Sequence, residues 1–427
     1  MHSFWKFVYR FFILPILWGG FHVSGFFNRK VRSGLLGRKG LMRRAQAVRA
    51  SLAQKPLLLF HCASMGELET LFPLAARLKE KRTAMGVIYF SPSAEKAARK
   101  SDHFDFADYT PKDTRRAVRN FLQALKPVAL VITKHDVWPN LVWECEQMHI
   151  PTFLVNANFS PRSKRFWPIA KSFQKALMGS FQAILTISQE DAERARRILP
   201  LDVRLIVTGD SRYDRVMERL SQGARDIQIS TESLKERFVL VAGSTHEADE
   251  EILLPAVAAV ARRHPQFLCL LVPHDPEPPA LKRIEANCAQ LGLGFLLLSQ
   301  WQRQRLGQVL CVDRVGILAA LYGLGHLAYV GGGFDKGVHS VLEPMGYDLP
   351  VLCGPKIEVS DEARSGRAEG VLEIAVTATQ IDGWIEKFIR DDDVRRRVGE
   401  RTRSLVQQRL GAATRIVDFL QKELDLS

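Results

Sequence analysis

Short runs of apolar residues alternate with longer helical patterns along most of this 427-residue chain, and the alternation occurs twice. Runs that are apolar at every position are typical of strands buried on both faces of a parallel sheet. Such strands, separated by helices, predict βαβ units and a doubly wound α/β domain. Residues 215–236 are polar and contain no β-like run. The pattern therefore predicts two Rossmann-like domains joined at that stretch.

The predicted strands fall into two groups. The first group is Leu57–Cys62, Gly86–Phe90, Val128–Thr133, Thr152–Asn156, Ala183–Ile187 and Arg204–Thr208. The second group is Phe238–Ala242, Phe267–Val272, Gly294–Leu298, Val309–Val312, Leu327–Val330, Val351–Cys353 and Val371–Val376. Ligands of open parallel sheets bind beyond the carboxyl ends of the strands. We therefore expect two α/β domains, 51–214 and 237–410, facing a central cleft, with 215–236 as linker and 411–427 as a C-terminal helix.

Most of the positive charge lies in residues 1–50, which contain ten Lys or Arg and no acid, out of a net charge of +14. The first acidic side chain of the chain is Glu67. A nucleic-acid-binding protein is expected to carry its basic surface on the folded domain. Here the charge flanks an apolar segment, which favours an anionic membrane surface as partner and argues against nucleic acid.

That apolar segment, Phe11–Phe27, has 17 residues, the lower limit for a spanning helix. The Arg-rich sequence after it argues against a cleaved secretory signal. It can lie in the membrane interface, span the bilayer with its basic flank inside, or pack on the body as a hydrophobic arm. We expect residues 1–50 to be a membrane anchor with its basic flank, and the body to be cytoplasmic.

The sequence contains no motif typical of a metal site. The six cysteines form no CxxC pair and no Cys/His cluster with zinc spacing, so buried free thiols in a reducing compartment are the expectation. The only acidic run that resembles a metal-binding DxD is Asp391–Asp393, and helix capping explains it. The prediction is metal-independent chemistry.

In the first half, the strand ending at Cys62 runs into Ala63-Ser64-Met65-Gly66-Glu67. Ser64 and Glu67 have the spacing of a capping box, which would be purely structural. Alternatively, Glu67 is a general base, since a carboxylate at a helix start is stabilised in its ionised form and can take a proton from a hydroxyl. The residues alone leave both interpretations open.

Charged residues also follow two later strands of this half. Lys134, His135 and Asp136 come after the third predicted strand, and Arg162 comes after the fourth. The first three are placed to line a binding site, and Arg162 is placed to hold phosphate or carboxylate groups of an acceptor. Solvated loops, with Trp138 as a packing anchor, are the bland alternative.

In the second half, Ser244 and Thr245 follow the first strand as a phosphate-binding turn would. Gly331, Gly332 and Gly333 follow a later strand, where glycines let backbone amides approach a ligand. A helix starting near His339 would direct its amino end at an anion, and Glu343 would accept ribose hydroxyls. A glycine run on its own is also compatible with an ordinary turn.

Several segments, taken in order, resemble the Kdo (3-deoxy-D-manno-octulosonic acid) transferases. They are HCASMGE, DVWPN, NANFSPRS, TGDSRYD, AGSTHEADEE, LVPHDPE, YVGGGF and HSVLEP, beginning at His61, Asp136, Asn156, Thr208, Ala242, Leu271, Tyr329 and His339. The resemblance covers nearly the whole chain, including the short N-terminal segment. It implies the GT-B fold of two Rossmann-like domains.

The resemblance also implies an activity: inverting transfer of Kdo from CMP-Kdo to a lipid A precursor at the cytoplasmic face of the inner membrane, without metal or cofactor. The family's catalytic glutamate corresponds to Glu67. The implied acceptor-binding residues are Ser64, Lys134, His135, Asp136 and Arg162. The implied donor-binding residues are Ser244, Thr245, His274, Gly331, Gly332, Gly333, Lys336, His339, Ser340 and Glu343.

The sequence departs from the family pattern at several of these positions. Lys134 replaces the first acid of the family's ETE, whose second acid is kept as Asp136. The arginine of RHPER is lost, with His274 starting the matching segment, and Ser340 replaces an asparagine. The glutamate of DTMGE is lost at Ile317. Two alternatives therefore stay open: another nucleotide sugar as donor, or an inactive relative that binds lipid or a partner at the membrane.

Overall fold

The computed structural model describes residues 2–52, 55–79, 83–134, 136–160, 167–221, 229, 234–301 and 307–425. The chain divides into two compact units. The first unit is Met1–Arg215 together with Leu410–Ser427, and the second is Val216–Arg409. The chain passes from the first to the second within a single helix, Ser211–Ser221, and returns after a helix ending at Arg409.

The first unit is built on a seven-stranded, all-parallel sheet in the order β3-β2-β1-β4-β5-β6-β7. The strands are β1 Leu57–Cys62, β2 Ala84–Tyr89, β3 Phe106–Tyr109, β4 Ala129–Thr133, β5 Thr152–Ala157, β6 Ala183–Thr186 and β7 Arg204–Val207. The helices are α1 His2–Val8, α2 Leu14–Phe27, α3 Arg29–Gly37, α4 Leu41–Ser51, α5 Met65–Leu78, α6 Glu95–Lys100, α7 Arg115–Leu125, α8 Pro139–Gln147, α9 Pro168–Met178, α10 Gln189–Arg196, α11 Ser211–Ser221 and, from the chain end, α19 Ala412–Leu424.

The apolar runs of this sheet fill two core layers, one on each face. Alternation along β1 sends Leu57 and Leu59 into one layer and Leu58 and Phe60 into the other. Both layers are covered by helices, which is why every residue of β1 is buried. The predicted parallel sheet is confirmed, and its continuous apolar runs are the signal that predicted it.

One strand, β3, was not predicted. Its four residues include Asp108, whose carboxylate accepts from Arg44 Nε at 2.6 Å and Nη2 at 2.9 Å. β3 lies at the edge of the sheet, where only one neighbour pairs with it, so a short strand with a charged residue is tolerated. A pattern built on long apolar runs does not detect such a strand.

The second unit repeats the architecture with a parallel sheet in the order β10-β11-β9-β8-β12-β13-β14. The strands are β8 Phe238–Thr245, β9 Phe267–Pro273, β10 Phe295–Leu297, β11 Val309–Cys311, β12 Leu327–Val330, β13 Val351–Cys353 and β14 Leu372–Ile374. The helices are α12 Glu247–Arg263, α13 Pro278–Gln290, α14 Leu318–Tyr322, α15 Leu342–Gly346, α16 Asp361–Ala368, α17 Ala378–Arg390 and α18 Asp392–Arg409. All six cysteines are free and buried, as predicted.

The N-terminal helices pack on the first unit along one side. α1 and α2 are joined by a π-helical turn, Tyr9–Ile13, so that His2–Phe27 forms one helical stretch of 26 residues, long and apolar enough to cross a membrane. Tyr9, Leu14 and Trp18 are buried in the core of the first unit. At the other end of the chain, α19 packs against α5 in the same unit.

Candidate functional site

In each sheet, the predicted site residues follow the strands at which the strand order reverses. In the first unit the chain adds β2 and β3 on one side of β1 and then crosses to β4 on the other side, so the order reverses between β1 and β4. In the second unit the same reversal lies between β8 and β12. Open parallel sheets bind ligands outside the carboxyl ends of the strands at such a point. Glu67 follows β1, and Gly331 follows β12.

Glu67 lies in the first turn of α5 and is 7% exposed. Its Oε2 accepts from the Ala63 amide at 2.6 Å. The neighbouring His61 is buried, and its Nε2 lies 3.1 Å from the Asp136 carbonyl oxygen. Because a carbonyl oxygen only accepts, that nitrogen carries the proton. These contacts fix Glu67 and its neighbours in one arrangement at the carboxyl edge of the sheet.

Burial raises the pKa of the Glu67 carboxyl above its ordinary value. The Ala63 amide, His61 and Lys134 act against that rise, whereas the charge of Asp136 adds to it. A carboxylate whose pKa is raised toward neutrality is a stronger base than an exposed glutamate. The electrostatics of this position therefore suit proton abstraction.

Ser64 occupies the cap position before α5, but its side chain makes no capping hydrogen bond. The Glu67 carboxylate instead binds the amide of Ala63, one residue earlier than a capping box requires. A Cβ added to Gly66 would meet no atom within 4 Å, so the space beside Glu67 on this turn is open. The first turn of α5 is therefore open to solvent at Gly66, one residue before Glu67.

The residues after β4 lie near Glu67. Lys134 adopts a left-handed conformation with φ of 61°, and its amide donates to the Val155 carbonyl at 2.8 Å. The Asp136 carboxylate accepts from Trp138 Nε1 at 3.0 Å. Lys134 also helps to lower the pKa of Asp210, which burial alone would raise, although Arg212 contributes more. His135 and Arg162 lie outside the described residues.

Ser244 and Thr245 are the last two residues of β8, which extends beyond the predicted strand, and they differ in accessibility. The Thr245 hydroxyl donates to Glu250 Oε1 at 2.9 Å and is buried, so it faces the interior rather than a ligand. The structure thus gives the Thr245 side chain a partner inside the protein, and its donor-binding role stays a prediction. Ser244 is partly buried and has a positive φ of 54°.

The three glycines after β12 are required by close backbone packing. A Cβ at Gly331 would lie 2.3 Å from the Ser244 oxygen, and one at Gly333 would lie 2.6 Å from Gly354 Cα. Gly332 has φ of 87° and donates its amide to Asp249 Oδ2 at 2.8 Å, while the Gly331 amide donates to the Gly243 carbonyl at 2.9 Å. Two of the three amides predicted to approach a ligand are thus engaged inside the protein.

Gly331→Ala is expected to destabilise the protein by about 1–3 kcal/mol, because the added methyl overlaps the backbone at Ser244. Gly383→Ala is the matched control: Gly383 is exposed in α17 with nothing within 4 Å of an added Cβ, and alanine there favours a helix by about 0.5–1 kcal/mol. Thermal unfolding of both variants measures the difference. Equal melting temperatures would contradict the packing explanation.

The segment after the glycines differs from the prediction. The helix expected near His339 begins at Leu342 and has only five residues. His339 therefore lies before the helix and not at its first turn. Glu343 Oε1 accepts from Arg219 Nη1 at 3.3 Å. Lys336 and Ser340 are exposed.

Three histidines that lie far apart in the sequence meet at this edge. His246, His274 and His339 follow β8, β9 and β12, which are adjacent in the sheet. His246 Nε2 lies 2.8 Å from His339 Nε2. Burial, and then the two other imidazoles, lower the pKa of His339. Sequence reasoning named His274 and His339 individually, but missed His246 and missed the cluster.

Asp249 was also missed, although it organises this edge. Its carboxylate is fully buried and accepts from the amides of Gly332 and His246 at 2.8 and 3.0 Å. It also accepts from the Tyr329 hydroxyl at 3.1 Å. One side chain on α12 therefore holds the glycine turn and the start of its own helix together. The acidic run after His246 was the only sequence signal for it.

The chain is similar in sequence to proteins of one family. Residues 37–215 match the family described as 3-Deoxy-D-manno-octulosonic-acid transferase (kdotransferase). The Kdo transferase of Aquifex aeolicus is 30% identical over 303 residues, covering 70% of this chain and 76% of that protein. The Kdo transferase of Haemophilus influenzae is 26% identical over 377 residues, 86% of each chain.

Solved structures support the same fold. UDP-GlcNAc 2-epimerase from Neisseria meningitidis superposes with a TM-score of 0.62 at 15% identity, covering 86% of this chain and all of that one (100%). A glycosyltransferase from Rickettsia africae superposes with a TM-score of 0.60 at 12% identity, covering 88% of this chain and 100% of the other. At such identities the likeness shows the fold alone.

Two α/β units with parallel sheets resemble the GT-B fold, and the similarity to Kdo transferases makes the chain a glycosyltransferase. More specifically, the chain belongs to the Kdo transferase family.

Proposed function

We propose that this protein transfers Kdo from CMP-Kdo to a lipid A precursor with inversion at the anomeric carbon. Glu67 takes the proton of the acceptor hydroxyl, and that oxygen attacks the anomeric carbon while the bond to the CMP phosphate breaks. The observation that carries the proposal is the buried, fixed carboxylate at the switch point of the first sheet, beside open space at Gly66. No step is assigned to a metal ion or a cofactor.

The acceptor is proposed to bind at the first unit. Lys134 places a cation near Glu67, which suits the phosphate groups of a lipid A precursor. Ser64 and Asp136 lie on the same edge, and His135 and Arg162 are proposed as further acceptor-binding residues from the sequence resemblance.

The nucleotide sugar donor is proposed to bind at the second unit. Ser244 lies at the end of β8, His274 and His339 follow β9 and β12, and Gly331–Gly333 form the turn after β12. Lys336 and Ser340 are exposed beside them, and Glu343 follows in α15. Basic and polar groups there would stabilise the departing phosphate of CMP.

The N-terminal helix is proposed to attach the protein to the cytoplasmic face of the bacterial inner membrane. Lys6 Nζ lies 3.0 Å from Glu146 Oε2, Arg10 Nη2 lies 2.9 Å from Glu144 Oε1, and Tyr9 donates to Asp113 at 2.8 Å. Because these contacts hold the helix along the body, they favour attachment in the membrane interface over spanning.

The proposal is tested by a transfer assay with CMP-Kdo and a lipid A precursor, using mass spectrometry to read the lipid product. Parallel reactions contain UDP-sugars in place of CMP-Kdo. The expected product carries added Kdo and forms only with CMP-Kdo. If a product forms only from a UDP-sugar, the donor is that UDP-sugar and not CMP-Kdo. If no nucleotide sugar gives a product, the protein is not a transferase for this acceptor.

The acid limb of the pH profile of kcat/KM is expected to lie above pH ~4.3, where an ordinary glutamate ionises, because burial raises the pKa of Glu67. A base acts only when deprotonated, so the rate falls as pH falls through the raised pKa. Lys134→Met removes a cation that lowers this pKa, and should therefore move the limb to higher pH. A limb that stays in place or moves down would contradict the assignment of Glu67 as base.

A further inference from the structure

The three imidazoles at the carboxyl edge of the second sheet form a compact cluster. His246 precedes α12, His274 follows β9 directly, and His339 lies beyond the glycine turn. Within the described part of the chain, one ligand nitrogen from each of the three lies within 4.8 Å of the others. The ring centroids are 4.6, 4.7 and 5.1 Å apart. Three nitrogen donors, from segments that follow three neighbouring strands, thus lie close together.

The backbones that carry these side chains are held in place. The His246 amide donates to Asp249 Oδ2 at 3.0 Å, the His274 amide to the Thr245 carbonyl at 2.9 Å, and the His339 amide to the Gly331 carbonyl at 3.0 Å. A set of ligands fixed by such outer contacts loses little conformational freedom when it binds an ion. The cluster is therefore organised before any ligand arrives.

The close approach of His246 Nε2 and His339 Nε2, at 2.8 Å, has two chemical explanations. One proton can lie between the two nitrogens, or both lone pairs can bind one cation. The third ring, His274, is exposed and stacks near both at angles of 28° and 18°. A hydrogen bond between His246 and His339 does not involve His274. One cation, in contrast, can be bound by all three imidazoles.

We propose that His246, His274 and His339 bind one divalent transition metal ion of the zinc class. Three imidazoles and one open position for an oxygen ligand are a common zinc set, and imidazole also suits copper and nickel. The prediction of metal-independent chemistry considered acidic motifs and cysteine–histidine spacing, and this cluster has neither. The resembling family has an arginine where His274 begins the matching segment. A bound ion places positive charge at that position.

The test is calorimetric titration of the untagged full-length protein, freed of metal by a chelator, with Zn²⁺. We expect one equivalent to bind per chain, and Co²⁺ to give the visible absorption bands of a tetrahedral site. His274→Arg removes one ligand but keeps positive charge, and should weaken Zn²⁺ binding at least about tenfold. His149→Asn is the matched control, since His149 is exposed, lies outside the cluster, and has a positive φ of 56° that asparagine tolerates.

Two results would overturn the proposal. One is the absence of stoichiometric Zn²⁺ binding, or an equal affinity in His274→Arg and His149→Asn. The other is binding of inorganic phosphate by the metal-free protein without binding of Zn²⁺, which would make the cluster an anion site. A phosphate site would tolerate His274→Arg, whereas a metal site would not. The Zn²⁺ titration contains neither a nucleotide sugar nor a lipid acceptor. Its outcome is therefore independent of the outcome of the transfer assay.

Discussion

Glu67→Gln is expected to lower the rate of Kdo transfer by about 10²–10⁴-fold while leaving the melting temperature nearly unchanged. Glutamine keeps an oxygen that can accept from the Ala63 amide, so the hydrogen bond at 2.6 Å has a replacement. It cannot accept a proton from an acceptor hydroxyl, because its amide is not a base at neutral pH. At about 1.36 kcal/mol for each tenfold, the loss is about 3–5 kcal/mol of transition-state stabilisation.

Glu69→Gln is the matched control on the same helix. Its carboxylate pairs with Arg215 Nε at 2.6 Å and is partly exposed, so its loss removes an ion pair of small energy. Transfer by the Glu69 variant should stay close to that of the unaltered protein. Equal transfer by both variants, or a large loss of stability in Glu67→Gln alone, would assign Glu67 a structural role at the start of α5.

The fold was predictable because its signal is local. Twelve of the thirteen predicted strands are four or more residues long and consist mainly of apolar residues. All thirteen overlap an observed strand. The unpredicted β3 carries Asp108 in its four residues, and the charge of Asp108 is paired with Arg44 on α4, 64 positions away in the sequence. No sequence window contains that contact.

The candidate site was predictable to the level of the segment rather than of the side chain. Turns after β1, β8 and β12 were identified because glycine and small polar residues follow apolar runs. The direction of each side chain depends on packing. Thr245 is buried against Glu250, and Gly331 and Gly332 donate their amides inside the protein. The histidine cluster required the strand order, since its members are separated by up to 93 positions.

The N-terminal helix has two faces that differ in chemistry. Tyr9, Leu14 and Trp18 are buried against the body. The opposite face exposes large apolar side chains: Phe4, Phe7, Phe11, Phe12, Ile16, Val23, Phe26 and Phe27, which are 51–89% exposed. Exposed basic residues follow at Arg29, Lys30 and Arg32. The exposed apolar side chains suit the acyl region of a membrane interface, and the exposed cations beside them suit anionic lipid headgroups.

Replacing Phe11, Ile16 and Phe27 together with serine is therefore expected to release the protein from membranes. Each side chain is more than 60% exposed, so its removal leaves the core intact. Burying an apolar side chain of this size contributes about 1.5–3 kcal/mol, and losing three weakens partitioning by at least about 10³-fold. Flotation with vesicles that contain anionic lipid measures the partitioning. High salt should weaken binding of the unaltered protein, since it screens Arg29, Lys30 and Arg32.

The triple substitution of Leu201, Val315 and Val359 with serine is the control, because these side chains are 89%, 76% and 74% exposed and lie outside the helix. The control should float with vesicles as the unaltered protein does. If both triple variants bind equally, the exposed face of the helix is not the membrane-binding surface. If the unaltered protein resists extraction by high salt and alkaline buffer, the helix spans the bilayer instead. Its contacts from Lys6, Tyr9 and Arg10 to the body would then have to break on insertion.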